Sequence, residues 1–206
     1  MAPTLAYPLA VLIGYLLGSC NLAIFLSRRK GVDVRACGSG NPGASNTLTL
    51  LGWKAGVLVA LHDIGKGVLA VLLAKLFFPA HVYAPEAAGV ACVLGHIFPF
   101  YLRFRGGKGF ASYLGMIAAL NWRFALLMLL LIALVVLITD YIALATLATS
   151  ISFPLYYAVA SRFSVAALLC VVCVVIFVKH RDNLLRIWKG TEVGVRAAAR
   201  GEHRVR

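Results

Sequence analysis

Charged side chains are scarce in this chain. Only 13% of its 206 residues are Asp, Glu, Lys or Arg, and 62% are hydrophobic. An ordinary soluble domain carries about twice that share of charge, so a water-soluble globular protein is excluded. Acidic residues are scarcest: seven stand against twenty lysines and arginines, a net charge of +13. The five cysteines are an odd number lying mostly inside apolar runs, which argues against a disulfide framework. Cys170 and Cys173 form a C-x-x-C, but within one apolar stretch and with no second ligand pair. They read as small buried hydrophobes, and neither a metal site nor a cofactor is expected. The start, Met1-Ala2-Pro3-Thr4, lacks a basic n-region, so the first apolar run reads as a retained helix rather than a cleaved signal.

What is present is apolar length. At about 20 residues per span, seven helices use most of the chain and leave no room for a separate soluble domain. Spans are expected at 5–26, 53–78, 86–102, 110–120, 123–139, 141–160 and 164–178, the fourth too short to cross comfortably. Residues 1–206 then form one all-α transmembrane domain, with 190–206 a basic tail expected to be mobile.

The basic residues fall in three clusters. Arg28, Arg29, Lys30, Arg35 and Lys54 lie in or beside the first loop, and Arg103, Arg105 and Lys108 in another. Lys179, Arg181, Arg186, Lys189, Arg196, Arg200, Arg204 and Arg206 follow the last apolar run. Basic residues near helix ends mark the cytoplasmic side. With seven crossings and an outer N-terminus, all three clusters are cytoplasmic and only Arg123 and Arg162 lie outside. Anionic lipid head groups are the natural partners of this charge, and no nucleic-acid partner is expected of an integral membrane chain.

Two glycine-rich loops break the apolar pattern. The first, residues 27–52, contains Gly38-Ser39-Gly40-Asn41-Pro42-Gly43-Ala44-Ser45-Asn46. Its three glycines allow positive φ and close approach to a ligand, and successive N–H groups can converge on an anion. Ser39, Ser45, Asn41 and Asn46 add neutral donors. The second loop, Gly106-Gly107-Lys108-Gly109, repeats the theme and adds a cation. Together they suggest two phosphate groups at a bilayer surface.

Several polar residues inside the spans have two readings. Gly18-Ser19-Cys20-Asn21 either packs helices through small residues or turns Ser19 and Asn21 toward a polar site. Asp63 and Lys66 share a helix face and either neutralise each other or line that site, with His62 beside them. His96 is a hydrogen-bonded core residue or a site residue just before the second glycine loop. His180, Asn183 and Arg186 form one polar stripe at the end of the last helix, either a solvated end with a Trp188 anchor or a third part of the site.

These motifs together resemble those of the bacterial acyl-phosphate:glycerol-3-phosphate acyltransferases, the PlsY family. Gly38 to Asn46 resembles the family's first motif, Gly95-His96 through Phe110-Ala111-Ser112 the second, and His180-x-x-Asn183-x-x-Arg186 the third. The resemblance implies a seven-helix protein of the bacterial inner membrane whose site opens to the cytoplasm. It implies transfer of a fatty acyl group from acyl phosphate to the 1-hydroxyl of glycerol 3-phosphate, giving lysophosphatidate and phosphate for phospholipid synthesis. The H-x-x-x-x-D motif of other glycerol phosphate acyltransferases is absent, as the family leads one to expect. Two positions depart from it. Thr49 stands where members carry arginine, with Lys54 or Arg35 as substitutes. Tyr141-Ile142-Ala143 stands where many carry paired serines, leaving Thr146, Thr149 or Ser150 to serve.

The candidate site follows. Ser39, Lys108, His180 and Asn183 are the catalytic candidates. The substrate-binding candidates are Gly38, Gly40, Asn41, Gly43, Ser45, Asn46, Asp63, Lys66, His96, Gly106, Gly107, Gly109, Ser112 and Arg186. The first loop would hold acyl phosphate and donate to the developing oxyanion. Lys108 would pair with the phosphate of glycerol 3-phosphate. The leaving phosphate, with a second pKa near neutrality, can itself accept the alcohol proton, and His180 or His96 as general base is the competing route. The partners expected are the two substrates and the lipid bilayer, with the protein monomeric. An organic-phosphate transporter is the rival class, against which stand the absence of a convincing internal repeat and charge clustered on one face. A catalytically inactive lipid-binding scaffold is a third.

Overall fold

The computed structural model of the chain describes residues 3–200. Its described elements are helical, and six helical stretches among the described residues are long and apolar enough to cross a membrane. The chain divides into two compact units, Met1–Trp122 and Arg123–Arg206.

In the first unit the opening apolar run is two helices, α1 (Pro3–Ser19) and α2 (Leu22–Arg29). The first span expected over 5–26 lies within one apolar stretch, Thr4–Arg29, long enough to cross a membrane, and the helix breaks inside it. The break falls at Cys20-Asn21, where the Asn21 Oδ1 accepts the Ile24 N–H at 3.0 Å and caps α2. Helix α3 (Ala44–Leu51) lies inside what the sequence suggested was loop. Gly43 opens it in extended conformation and Gly52, at φ 86°, closes it. Helix α4 (Trp53–Phe77) follows and packs against α1, against α5 (Ala84–Ile97) and against α6 (Phe110–Leu120). A short 3-10 turn, Phe100–Leu102, separates α5 from the second glycine loop.

Small residues set these helix contacts. Gly14 and Gly18 of α1 lie against the Ala88 and Cys92 carbonyls of α5, so close that a Cβ at either position would collide with backbone. Gly67 of α4 meets the Ser112 carbonyl of α6, and Gly115 of α6 meets the Ile64 carbonyl of α4. Close backbone approach through glycine is how membrane helices gain dispersion contacts where lipid removes the hydrophobic drive. With 11 residues, α6 is about 16 Å long, roughly half the hydrocarbon thickness, in keeping with its short apolar run.

The second unit holds α7 (Trp122–Thr139), α8 (Ile142–Val159), α9 (Phe163–Trp188) and α10 (Val195–Ala199). Phe124 of α7 packs on Phe153 and Tyr156 of α8, with ring centroids 5.2 and 4.8 Å apart. Trp53, Trp122 and Trp188 each begin or end a candidate span and are exposed, as interface anchors should be. Within the stretch expected to be a mobile tail, residues near the end of the described chain bond to the end of α7. The Val195 N–H donates to the Asp140 carbonyl at 2.9 Å, the Arg196 N–H to Asp140 Oδ1 at 2.9 Å, and Arg196 Nη2 to the Leu137 carbonyl at 2.7 Å. The Arg196 guanidinium thus satisfies one of the last carbonyls of α7. Residues 201–206 of the expected tail lie outside the described residues.

Candidate active site

The first glycine loop is braced from within. Gly38 and Gly40 take left-handed conformations, φ 61° and 69°. A Cβ on Gly38 would run into Asn46 Oδ1. That oxygen accepts the Ser39 N–H at 2.9 Å, while Asn46 Nδ2 donates to the Val34 and Cys37 carbonyls at 2.8 and 3.1 Å. Buried Asn46 thus spends its amide holding the loop. The Gly40 and Gly43 N–H groups also donate inside the loop, to the Cys37 and Asn41 carbonyls. Three of the loop N–H groups expected to converge on an anion, those of Ser39, Gly40 and Gly43, are therefore occupied. The first turn of α3 adds donors at Ala44, Ser45 and Asn46, which have no helical acceptor before them. Ser39 and Ser45 are exposed. Thr49, on the same helix, returns its hydroxyl to the Ser45 carbonyl at 3.1 Å.

The second loop folds back over the end of α5. The Gly107 N–H donates to the His96 carbonyl at 3.1 Å and the Gly106 N–H to the Ile97 carbonyl at 3.0 Å. A Cβ on Gly106 would collide with the His96 carbonyl oxygen, and one on Gly107 with His96 Nε2. Gly109, at φ 89°, turns the chain into α6. Lys108 is thereby held one residue before that turn, near the N-terminal end of α6. Ser112, in the first turn of α6, is fully buried, and its hydroxyl has no partner among the described residues.

Beneath the loops lies a buried ionic cluster. Lys66 Nζ contacts Asp63 Oδ1, His96 Nδ1 and the Cys20 carbonyl, each at 2.8 Å. Asp63 Oδ1 is also 3.3 Å from His62 Nδ1 and 3.4 Å from His96 Nδ1. Asp63, Lys66 and His96 are each no more than 5% exposed. An ammonium has three protons, and here it has three acceptors. His96 Nδ1, taking one of them, leaves the ring proton on Nε2, the edge facing Gly107.

Both glycine loops share the wall of one cleft of about 590 Å³. Gly40 and Pro42 come from the first and Gly106 from the second, and Arg28, Arg35, Arg103 and Arg105 line the rest. Asp33 is the lone acid on this wall. Its Oδ1 accepts the Arg35 N–H at 2.9 Å, a bond that, with the guanidinium 3.5 Å away, holds the exposed carboxyl below its ordinary range. The cleft is thus strongly cationic. In the sequence Arg28, Arg103 and Arg105 served to fix orientation and to meet lipid head groups, although Arg103-x-Arg105 directly before Gly106 was a usable signal. Arg35, one of the two substitutes considered for the family arginine, is on this wall, while Lys54 is exposed near the Trp53 ring, 5.9 Å from its centroid.

In the second unit, His180 Nδ1 donates to the Ile176 carbonyl at 2.8 Å, which places a proton on Nδ1. Asn183 Nδ2 donates to one oxygen of Glu192 and Arg186 Nε to the other at 2.6 Å. Glu192 escaped the sequence reading; its signal was one of only two acids in a basic tail. Glu192→Ala should lower the Tm in detergent by about 3–6 °C, from a loss of about 1–2 kcal/mol discounted for the partly exposed Arg186. A Tm within 1 °C of the parent would refute the clasp. On α8, Thr149 and Ser150 return their hydroxyls to carbonyls of their own helix, whereas the buried Thr146 hydroxyl has no partner among the described residues.

Residues 8–190 match the family described as "Glycerol-3-phosphate acyltransferase". The chain belongs to that family. A glycerol-3-phosphate acyltransferase of Coxiella burnetii (strain CbuG_Q212) is 36% identical over 189 residues, covering 91% of this chain and 97% of the relative. One from Mesorhizobium japonicum is 39% identical over 188 residues, covering 89% and 93%. Among solved structures, the crystal structure of PlsY (YgiH), an integral membrane glycerol 3-phosphate acyltransferase, in its glycerol 3-phosphate form superposes with a TM-score of 0.86 at 35% identity, covering 94% of this chain and 97% of that one. The lysophosphatidic acid form gives 0.81, also at 35% identity, covering 91% and 94%. The sequence resemblance to this acyltransferase family is therefore correct, and the chain is a multi-pass membrane protein.

Proposed function

We infer that the protein transfers a fatty acyl group from acyl phosphate to the 1-hydroxyl of sn-glycerol 3-phosphate. The alcohol oxygen forms the new ester bond, the C–O bond to phosphate breaks, and inorganic phosphate leaves with the alcohol proton. The observation that carries this reading is the arginine-lined cleft on which both glycine loops border, a setting suited to two phosphate-bearing substrates. Acyl phosphate is assigned to the first motif, where the N-terminal turn of α3, with Ser39 and Ser45, offers donors to phosphate and to the developing oxyanion. Glycerol 3-phosphate is assigned to Lys108, with Arg35 and Arg105 as its electrostatic approach.

The activated donor makes a covalent intermediate unnecessary, so rate gain comes from positioning and charge stabilisation. Purified protein should release phosphate from acyl phosphate only when glycerol 3-phosphate is present. Release at equal rate without it, or none with it, would refute the assignment. Quenching the protein with acyl phosphate alone should leave its mass unmodified; a stoichiometric adduct formed and consumed at the turnover rate would overturn direct transfer.

The further reading is seven crossings in the bacterial inner membrane, α6 making the short one, with the N-terminus outside, the motifs cytoplasmic and the protein monomeric. The distribution of basic residues supports it. In a variant lacking the native cysteines, a cysteine placed at Arg200 should resist an impermeant thiol reagent applied to intact cells. Labelling there from outside would reverse the orientation.

A further inference from the structure

We propose that Lys66 is a positioning residue that fixes the two glycine-rich loops relative to one another. The proposal rests on the acyltransferase reading and concerns the first unit alone. One ammonium joins three elements. Through the Cys20 carbonyl it holds the break between α1 and α2. The next residue, Asn21, donates from Nδ2 to the Pro42 carbonyl at 3.1 Å, inside the first loop. Through His96 Nδ1 it holds the end of α5. The His96 carbonyl accepts the Gly107 N–H, and its imidazole lies against Gly107 with no room for a Cβ between them. Gly67, the neighbour of Lys66, abuts the Ser112 carbonyl just beyond the second loop. The first loop is thus two bonds from Lys66, and the second loop also two.

The remaining proton of the ammonium goes to Asp63, whose carboxylate neutralises it. A buried cation with all three donors placed has none left for a substrate. Lys66 and Asp63, candidate substrate ligands in the sequence, therefore act through the loops. Each loop carries its own phosphate-binding groups, so loss of the tie should spare the binding of each substrate separately. It should instead damage their mutual alignment, to which the rate of acyl transfer is most sensitive.

The test separates this role from mere stabilisation. Lys66→Met alone leaves a buried carboxylate unpaired and is expected to fold poorly. The paired change Asp63→Leu with Lys66→Met removes both charges and fills the space with apolar atoms, which commonly restores stability. In detergent the double variant should keep a Tm near that of the parent. Its kcat should fall by about 30-fold or more, with the KM for each substrate within about threefold of the parent. Amide hydrogen exchange should rise in the peptides containing residues 38–43 and 106–109 and stay unchanged in α7. A double variant with parental Tm and parental kcat overturns the proposal. So does one whose kcat loss only follows its loss of folded protein. Failure of the parent itself to transfer acyl groups would refute the acyltransferase reading instead.

Discussion

Gly106→Ala is expected to cut kcat/KM for acyl transfer by about 10²–10³-fold. The added methyl meets the His96 carbonyl oxygen and comes within 3.0 Å of the Ile97 carbonyl oxygen. Neither is a side-chain end that can swing away. The loop must lift from the end of α5, which breaks the bonds from the Gly106 and Gly107 N–H groups and carries Lys108 with it. A displacement on the order of 1 Å is enough for a loss of that size. Gly65→Ala is the matched control. Its Cβ has no atom within 4 Å, and in a helix interior it should leave activity near parental and stability equal or slightly higher. Similar activities for the two variants would show that the fold-back of the loop does not position the site.

The second large effect is expected from Lys108→Ala. Deleting a cation that meets a phosphate removes a charge-assisted interaction worth ~3 kcal/mol, about 10²-fold in kcat/KM for glycerol 3-phosphate. Because Lys108 is assigned to the acceptor, the loss should appear as a raised KM for glycerol 3-phosphate, with the KM for acyl phosphate within about threefold. Lys108→Arg keeps the charge but changes the point donor to a planar fork, and should recover only part of the loss. Equal effects of Lys108→Ala on both substrates would remove the assignment.

What the sequence displayed and what it concealed divide along physical lines. The apolar runs announced α4, α7, α8 and α9, because a lipid-facing helix needs an uninterrupted stretch of hydrophobic residues. Glycine clusters announced both loops. Helix α3 stayed hidden, since eight residues carry too little periodicity and so short a helix depends on its packing against α4. Spacing of three put Asp63 and Lys66 on one face, but the Cys20 carbonyl and His96 Nδ1 are tertiary partners 46 and 30 residues away. Asn46 looked like a ligand-binding amide and turned out to brace the loop, because its acceptors, Val34 and Cys37, meet it only after the chain reverses. The contacts of Glu192 with Asn183 and Arg186 were hidden for the same reason. The arginines of the cleft were visible as charge, but their convergence on one cleft needs the fold to bring together residues 28–35 and 103–105.

The Asp63–Lys66 pair also bears on biogenesis. A ribosome adds about 5–20 residues per second, so His96 emerges roughly 2–6 s after Lys66. During that interval α4 must enter the translocon and partition into lipid without its partner on α5. Its countercharge is three residues earlier on the same helix, so the segment crosses as a self-neutralised unit. A lysine whose first partner were His96 would wait in the nascent chain with its charge uncompensated.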